Sequence, residues 1–274
     1  MPSFAVSIAA LSLFQAALVA LPRPRPPFTW MPESPWWALV PAGSIVVVVF
    51  GIEAAPGSAD ALTWLALVAV PPLAAFALGW LVHGTTPAWA LLAVPLFILA
   101  WASSQESLAG ETAAALLTGL ACVALGWLLV SVVPADWLRW GIYSMAAIDA
   151  LLVAAELLQG PSAVLSAATP ADLPRFQVLD FGAARMGFGD AFLAATVGCL
   201  LAFDRRLQLR GAALLAVLAL SFDLLFFALD TLPATVPVAL ALALSQRLWS
   251  VRVANQCDRV DRNEPSHGER DAEP

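Results

Sequence analysis

Ala146-Ala147-Ile148-Asp149-Ala150-Leu151-Leu152 and Arg185-Met186-Gly187-Phe188-Gly189-Asp190-Ala191-Phe192-Leu193 each set one carboxylate into an otherwise apolar run. An acid at the centre of a membrane span costs roughly 2.5–3.5 kcal/mol on insertion scales, so two of them in successive segments point to a use for the pair. The surrounding composition decides the class. With 61% hydrophobic and 12% charged residues, the 274-residue chain carries more apolar surface than a soluble domain can hide. The expectation is an all-α polytopic membrane protein.

Working outward from the two acids, runs long enough to cross about 30 Å of hydrocarbon as helices fall near 3–21, 36–54, 61–82, 87–103, 112–133, 137–158, 187–203, 211–229 and 232–248. About nine transmembrane helices are expected. Spans one to five make an N-terminal membrane region over 1–135, and spans six to nine a second region over 136–250 that carries most of the intramembrane acids. The polar tail, 251–274, is expected to be disordered and cytoplasmic. Turn chemistry at Pro56-Gly57-Ser58, Gly84-Thr85-Thr86-Pro87 and Pro134-Ala135-Asp136 separates the spans, while Pro71, Pro72 and Pro95 fall inside them as kinks.

The first run has no basic residue before it and Arg23 and Arg25 just after it, the order of a retained span with its N-terminus outside. With nine spans, eleven of the 13 arginines then fall inside and only Arg175 and Arg185 outside. The net charge of −7 is thinly spread, and nothing points to nucleic acid. Cys122 and Cys199 lie in apolar runs and Cys257 in the tail, with no metal or disulfide spacing, and His83 and His267 stand alone. No metal or other cofactor is expected.

The long connection between spans six and seven contains Phe176-Gln177-Val178-Leu179-Asp180-Phe181, apolar and β-compatible but too short to span. One reading is a segment lying on the interface. The other is a strand edge that an unwound substrate pairs with.

Gly187-Phe188-Gly189 before Asp190 permits close backbone approach at a helix start, though an Asp there can equally be a helix cap. Asp149, mid-span in the preceding segment, has no such explanation. Two acids on facing helices can share one proton, as in aspartic proteases, where one carboxylate activates water and its protonated partner polarises the scissile carbonyl. Pro233-Ala234-Thr235-Val236-Pro237 opens the last span with a bend suited to shaping a site wall. Of the other acids, Asp223 in span eight is the strongest rival, as a third polar group or part of a proton path. Glu156 lies one heptad after Asp149, and Glu53, Asp204 and Asp230 lie near span ends.

In the order of these motifs the chain resembles the presenilin and signal peptide peptidase family of intramembrane aspartyl proteases. The resemblance covers about 137–245. It implies a presenilin-like fold with Asp149 and Asp190 as the catalytic pair. Gly187, Phe188, Gly189, Pro233, Ala234 and Thr235 would shape the site, and the substrate would be a transmembrane helical peptide cleaved within the bilayer. Ile148 stands where the family has Tyr, and Thr235 where it has Leu; Tyr143, the chain's single tyrosine, and Asp223 are auxiliary candidates. The orientation, N-terminus outside and C-terminus cytoplasmic, is similar to signal peptide peptidases, and the expected location is a prokaryotic plasma membrane. Prepilin peptidases also use a Gly-x-Gly-Asp acid, but usually with a basic residue soon after it, where this chain has Ala191-Phe192-Leu193. The alternatives are a proton-coupled transporter built on Asp149, Asp190 and Asp223, against which no internal repeat is visible, and a catalytically silent relative acting as a scaffold. The sequence leaves the oligomeric state open.

Overall fold

The computed structural model describes residues 2–26, 33–40, isolated helical positions between 43 and 51, and residues 58–103, 107–155, 173–227 and 232–247. Glu53, Glu156, Asp230 and the tail lie outside the described residues. Most of what is described is helix. Helix α1 is Phe4–Ala20, and α2 is Ser58–Phe76, which keeps Pro71 and Pro72 inside it and runs on into a π-helical turn over Ala77–Leu81. A 3-10 segment, Pro87–Leu92, leads into α3, Ala93–Ala102; α4 is Leu108–Val132 and α5 is Ala135–Ala154. A short hairpin then precedes α6, Phe188–Leu201, and α7, Arg205–Asp223, with a 3-10 turn over Leu224–Phe227. Residues 235–247 form α8.

Nine full-length spans are not what the described residues contain. Three helices are long and apolar enough to cross a membrane: Ala59–Leu81, Leu108–Val132 and Arg205–Phe226. Phe4–Ala20, Pro87–Ala102 and Phe188–Leu201 are apolar but shorter. The reason is backbone geometry, which a hydropathy window ignores. The run 187–203 begins in a strand and is α-helical only over the 14 residues of α6, a rise of about 21 Å at 1.5 Å per residue. Helix α5 has 20 residues, but Asp136, Arg139 and Asp149 lower its mean hydropathy.

The chain is not purely α-helical either. β1, Val178–Phe181, pairs antiparallel with β2, Ala184–Gly187, in the register Val178 with Gly187 and Leu179 with Met186. Gly182 makes the turn at φ +59°, a backbone conformation other residues adopt at a cost. Opposite one another, Leu179 and Met186 are both buried and fix the register, because a one-residue slip would turn them outward. Asp180 and Arg185, the next pair, form an ion pair at 2.6 Å. The turn is held from two helices: Gly182 N–H donates to Glu111 Oε2 of α4 at 2.7 Å, and Ala183 N–H to Ser7 Oγ of α1 at 3.1 Å. The β-compatible reading of 176–181 therefore holds for 178–181.

Helix α6 is the centre of the packing. Ala191, Leu193, Ala194, Ala195, Thr196, Val197, Gly198, Cys199 and Leu201 are all buried, so it has no outward face. It lies between α1 and α4, and helices on both sides of residue 135 share one core. Small residues permit this approach. A Cβ at Gly198 would stand 2.7 Å from the Val19 carbonyl oxygen and 2.8 Å from that of Leu18, and one at Gly126 would stand 3.0 Å from the Thr196 backbone. Neither backbone can yield cheaply. Gly198→Ala is expected to destabilise the protein by about 1–3 kcal/mol, read as a lower thermal midpoint in detergent. Gly43→Ala, where a Cβ meets nothing within 4 Å, should leave the midpoint unchanged.

Candidate functional site

The hairpin determines where Asp190 stands. β2 ends at Gly187 and α6 begins at Phe188, so Asp190 is the third residue of a helix whose entry angle the strand sets. Its Oδ2 accepts the Gly187 N–H at 3.2 Å, and in this respect Asp190 does serve as a cap for its own helix start. One hydrogen bond leaves most of the carboxylate's acceptor capacity open. Gly189 faces α5: a Cβ there would sit 3.4 Å from Met145 Cε, an ordinary van der Waals contact. Met145 lies one turn before Asp149 on α5, so the same face brings that acid toward α6.

Asp149 is five residues from the end of α5. Its Oδ2 accepts a hydrogen bond from the Thr235 hydroxyl at 2.6 Å. Thr235 opens α8 directly after Pro233-Ala234, and is itself buried. The start of α8 is tied in turn to Asp190, whose backbone carbonyl shares the Gln15 amide with that of Ala234. Three segments far apart in sequence, α5, the start of α6 and the start of α8, thus supply one polar centre.

A fourth segment, α1, closes it, and hydropathy concealed its part. Gln15 is buried, and its amide Nε2 donates to the Ala234 carbonyl at 3.2 Å and to the Asp190 carbonyl at 3.4 Å. It ties the start of α6 to the start of α8. Ser12 Oγ donates to Asp223 Oδ2 at 2.8 Å. Ser7, Ser12 and Gln15 stand at i, i+5 and i+8, which at 100° per residue is one arc of about 140°. That polar stripe is the signal the first span carries.

Ser12, Gln15, Gly187, Asp190, Asp223, Ala234 and Pro237 line a cavity of about 180 Å³, and Asp149 does not. The space is large enough for several waters. Asp223 therefore shares the cavity with Asp190, on the wall that α1 and α7 build. Tyr143 is elsewhere: its hydroxyl donates to Gln246 Oε1 at 3.4 Å, three turns along α8 from Thr235, and its ring meets Trp140 edge-on. Phe188 stacks on Phe192, one turn along α6. Among the described residues, no group of three or more His, Cys, Asp or Glu side chains is arranged to hold a metal ion.

Fold and site together define a class: a mostly helical chain, with three described helices fit to cross a membrane, in which Asp190 stands at a break between strand and helix and Asp149 is bonded to the start of α8. No family model, no curated protein and no solved structure matches the chain. Its function has to come from its own residues.

Proposed function

We propose that the protein is an intramembrane aspartyl peptidase of presenilin-like design, which hydrolyses peptide bonds within transmembrane helices. The observation that carries this reading is that Thr235 bonds the Asp149 carboxylate while Gln15 joins the carbonyls of Ala234 and Asp190, so that the two acid-bearing helix segments and the Pro233-Ala234-Thr235 run are linked. In this reading the catalytic region is 136–250, and the shorter helices complete about nine crossings of a prokaryotic plasma membrane, with the N-terminus outside and the C-terminus cytoplasmic.

The chemistry rests on a carboxyl pair that shares one proton. The ionised member takes a proton from a water whose oxygen attacks the scissile carbonyl carbon. Its protonated partner donates to the carbonyl oxygen, giving a neutral gem-diol. Collapse breaks the C–N bond as the amine nitrogen takes a proton from the acid that had accepted one, while a gem-diol hydroxyl gives its proton to the other carboxylate as C=O re-forms, so the pair returns to its starting state. A peptide bond inside a helix must first be unwound, because its carbonyl is hydrogen-bonded and shielded. The hairpin that ends at Gly187 offers a strand edge for the unwound segment, leading it to Asp190.

A transporter reading draws on a different observation, the cavity that Asp190 and Asp223 share. Reconstitution separates the two. Purified protein in liposomes, supplied with a single-span helical peptide and separately with an imposed proton gradient, should yield peptide fragments and no gradient-driven solute uptake. Uptake without fragments would make the protein a carrier, and neither would leave the scaffold reading.

A further inference from the structure

Away from the acid pair, three arginines from two distant parts of the sequence converge at one end of the molecule. After α1 the chain leaves through Pro22, which bridges to Val82 at the end of the π-helical turn that continues α2. Arg23 N–H donates to the Leu81 carbonyl at 2.8 Å and His83 N–H to that of Leu21 at 3.1 Å. This backbone clip holds the Arg23–Arg25 segment in place. Arg23 Nε and Arg25 Nε both donate to a single acceptor, the Trp80 carbonyl oxygen, at 2.6 and 2.9 Å. Arg205, at the start of α7, donates through Nη1 to the Ala20 carbonyl and to Gln208 Oε1. Gln208, fully buried, holds α7 in place by donating to the Pro22 and Gly198 carbonyls at 2.7 and 3.2 Å.

Like charges gathered this way repel, and the expected remedy is a carboxylate. Among the described residues none is paired with Arg23, Arg25 or Arg205, whereas Arg139 is paired with Asp136 and Arg185 with Asp180. Asp204, the nearest acid in sequence, spends Oδ1 on the N–H groups of Arg206 and Leu207 as the cap of α7. The neighbouring His83 imidazole is held below its ordinary range, chiefly by burial and then by Arg205, with Arg23 adding to it against opposing hydrogen bonds. Guanidinium groups that lean on backbone carbonyls keep further donors for a second acceptor. Beside them the surface is apolar: Trp80 is 41% exposed and Phe203 70%.

We infer that Arg23, Arg25 and Arg205 form a site for the phosphodiester headgroup of an anionic phospholipid, whose acyl chains lie along the exposed Trp80 and Phe203. Fixed cations with no carboxylate partner among the described residues, an exposed apolar flank and a position at the ends of two of the membrane-length helices, Ala59–Leu81 and Arg205–Phe226, together fit a lipid. Basic pockets between membrane helices take such headgroups, and guanidinium groups match phosphate geometry. The site is independent of the acid pair.

The test uses the full chain purified in neutral detergent. Native mass spectrometry with added phosphatidylglycerol should find one lipid retained at collision energies that strip phosphatidylcholine, and the thermal midpoint should rise with phosphatidylglycerol alone. Arg25→Gln and Arg205→Gln together should cut retention at least tenfold, whereas Arg206→Gln with Arg210→Gln, an equal loss of charge outside the cluster, should change it less than twofold. Equal retention of the two lipids by wild type overturns the proposal without any variant. So does an equal effect of the two double variants, which would reduce the site to general surface charge. Stabilisation by inorganic phosphate to the same extent as by phosphatidylglycerol would make the ligand a free anion and also overturn it.

Discussion

Asp190→Asn and Asp149→Asn should each abolish cleavage of a helical peptide in liposomes, with a fall on the order of a thousandfold for either change alone. The two variants should nevertheless fold as wild type. Asn at 190 keeps a carbonyl oxygen to accept the Gly187 N–H, and Asn at 149 keeps one for the Thr235 hydroxyl, so the hydrogen bonds seen at 3.2 and 2.6 Å survive. What an amide cannot do is exchange a proton. Because one shared proton makes the acids a single unit, the double variant should be no worse than either single one. The measurement is fragment yield at matched thermal midpoints. Activity in Asp190→Asn comparable to wild type would exclude the acid pair as the catalyst. Asp223→Asn is the internal comparison: it shares the cavity but is bonded to Ser12 on α1, and should retain most activity.

Thr235→Val is the second large expected effect. The substitution keeps the branched shape in a buried position while removing the donor that Asp149 receives at 2.6 Å. A hydrogen bond to a charged group contributes about 1.5–3 kcal/mol, so a loss of roughly ten- to a hundredfold in kcat is expected, with KM little changed. Thr235→Ser keeps the hydroxyl and should recover most of that loss. Leu cannot donate either; Thr235→Leu should be at least as impaired as Val. If Val and Ser behave alike, the hydroxyl has no part in the chemistry and Thr235 only packs.

Much of the site could be read from single residues, because each carried a physical penalty that demanded an explanation. Asp149 is costly in an apolar run, and Gly187, Gly189 and Pro233 mark places where a helix begins after a break; Thr235 bonds Asp149, and Gln15 joins the Asp190 and Ala234 carbonyls. Val178 to Phe181 was readable as strand for a similar reason, being apolar yet too short for a span. Gln15, Ser12 and Ser7 were hidden. Hydropathy averages them with their neighbours, and an uncharged side chain stands out little until its partner is known, here the carbonyls of Asp190 and Ala234. Among the described residues three helices, not nine, are long and apolar enough to cross a membrane, and the reason is geometry. Apolar residues were counted as helix, while the backbone spends Gly187 on a strand, Ala77–Leu81 on a π-helical turn and Pro87–Leu92 on 3-10 helix. Likewise, the arginines near both ends of the chain could be assigned to one side of a membrane by charge, but nothing in the sequence brings Arg23, Arg25 and Arg205 to neighbouring carbonyls.

The most direct measurement of the central claim is the mass of the products formed in water enriched in oxygen-18. Purified protein and a single-span peptide, incubated in lipid at neutral pH, should give two fragments that meet inside the hydrophobic stretch. The one new C-terminal carboxyl, on the N-terminal fragment, should carry a heavy oxygen from solvent, no peptide should remain covalently attached to the protein, and Asp190→Asn should give neither fragment. Fragments that form equally with Asp190→Asn, or an intact peptide in the presence of well-folded wild type, would contradict the assignment of Asp149 and Asp190 as a hydrolytic pair.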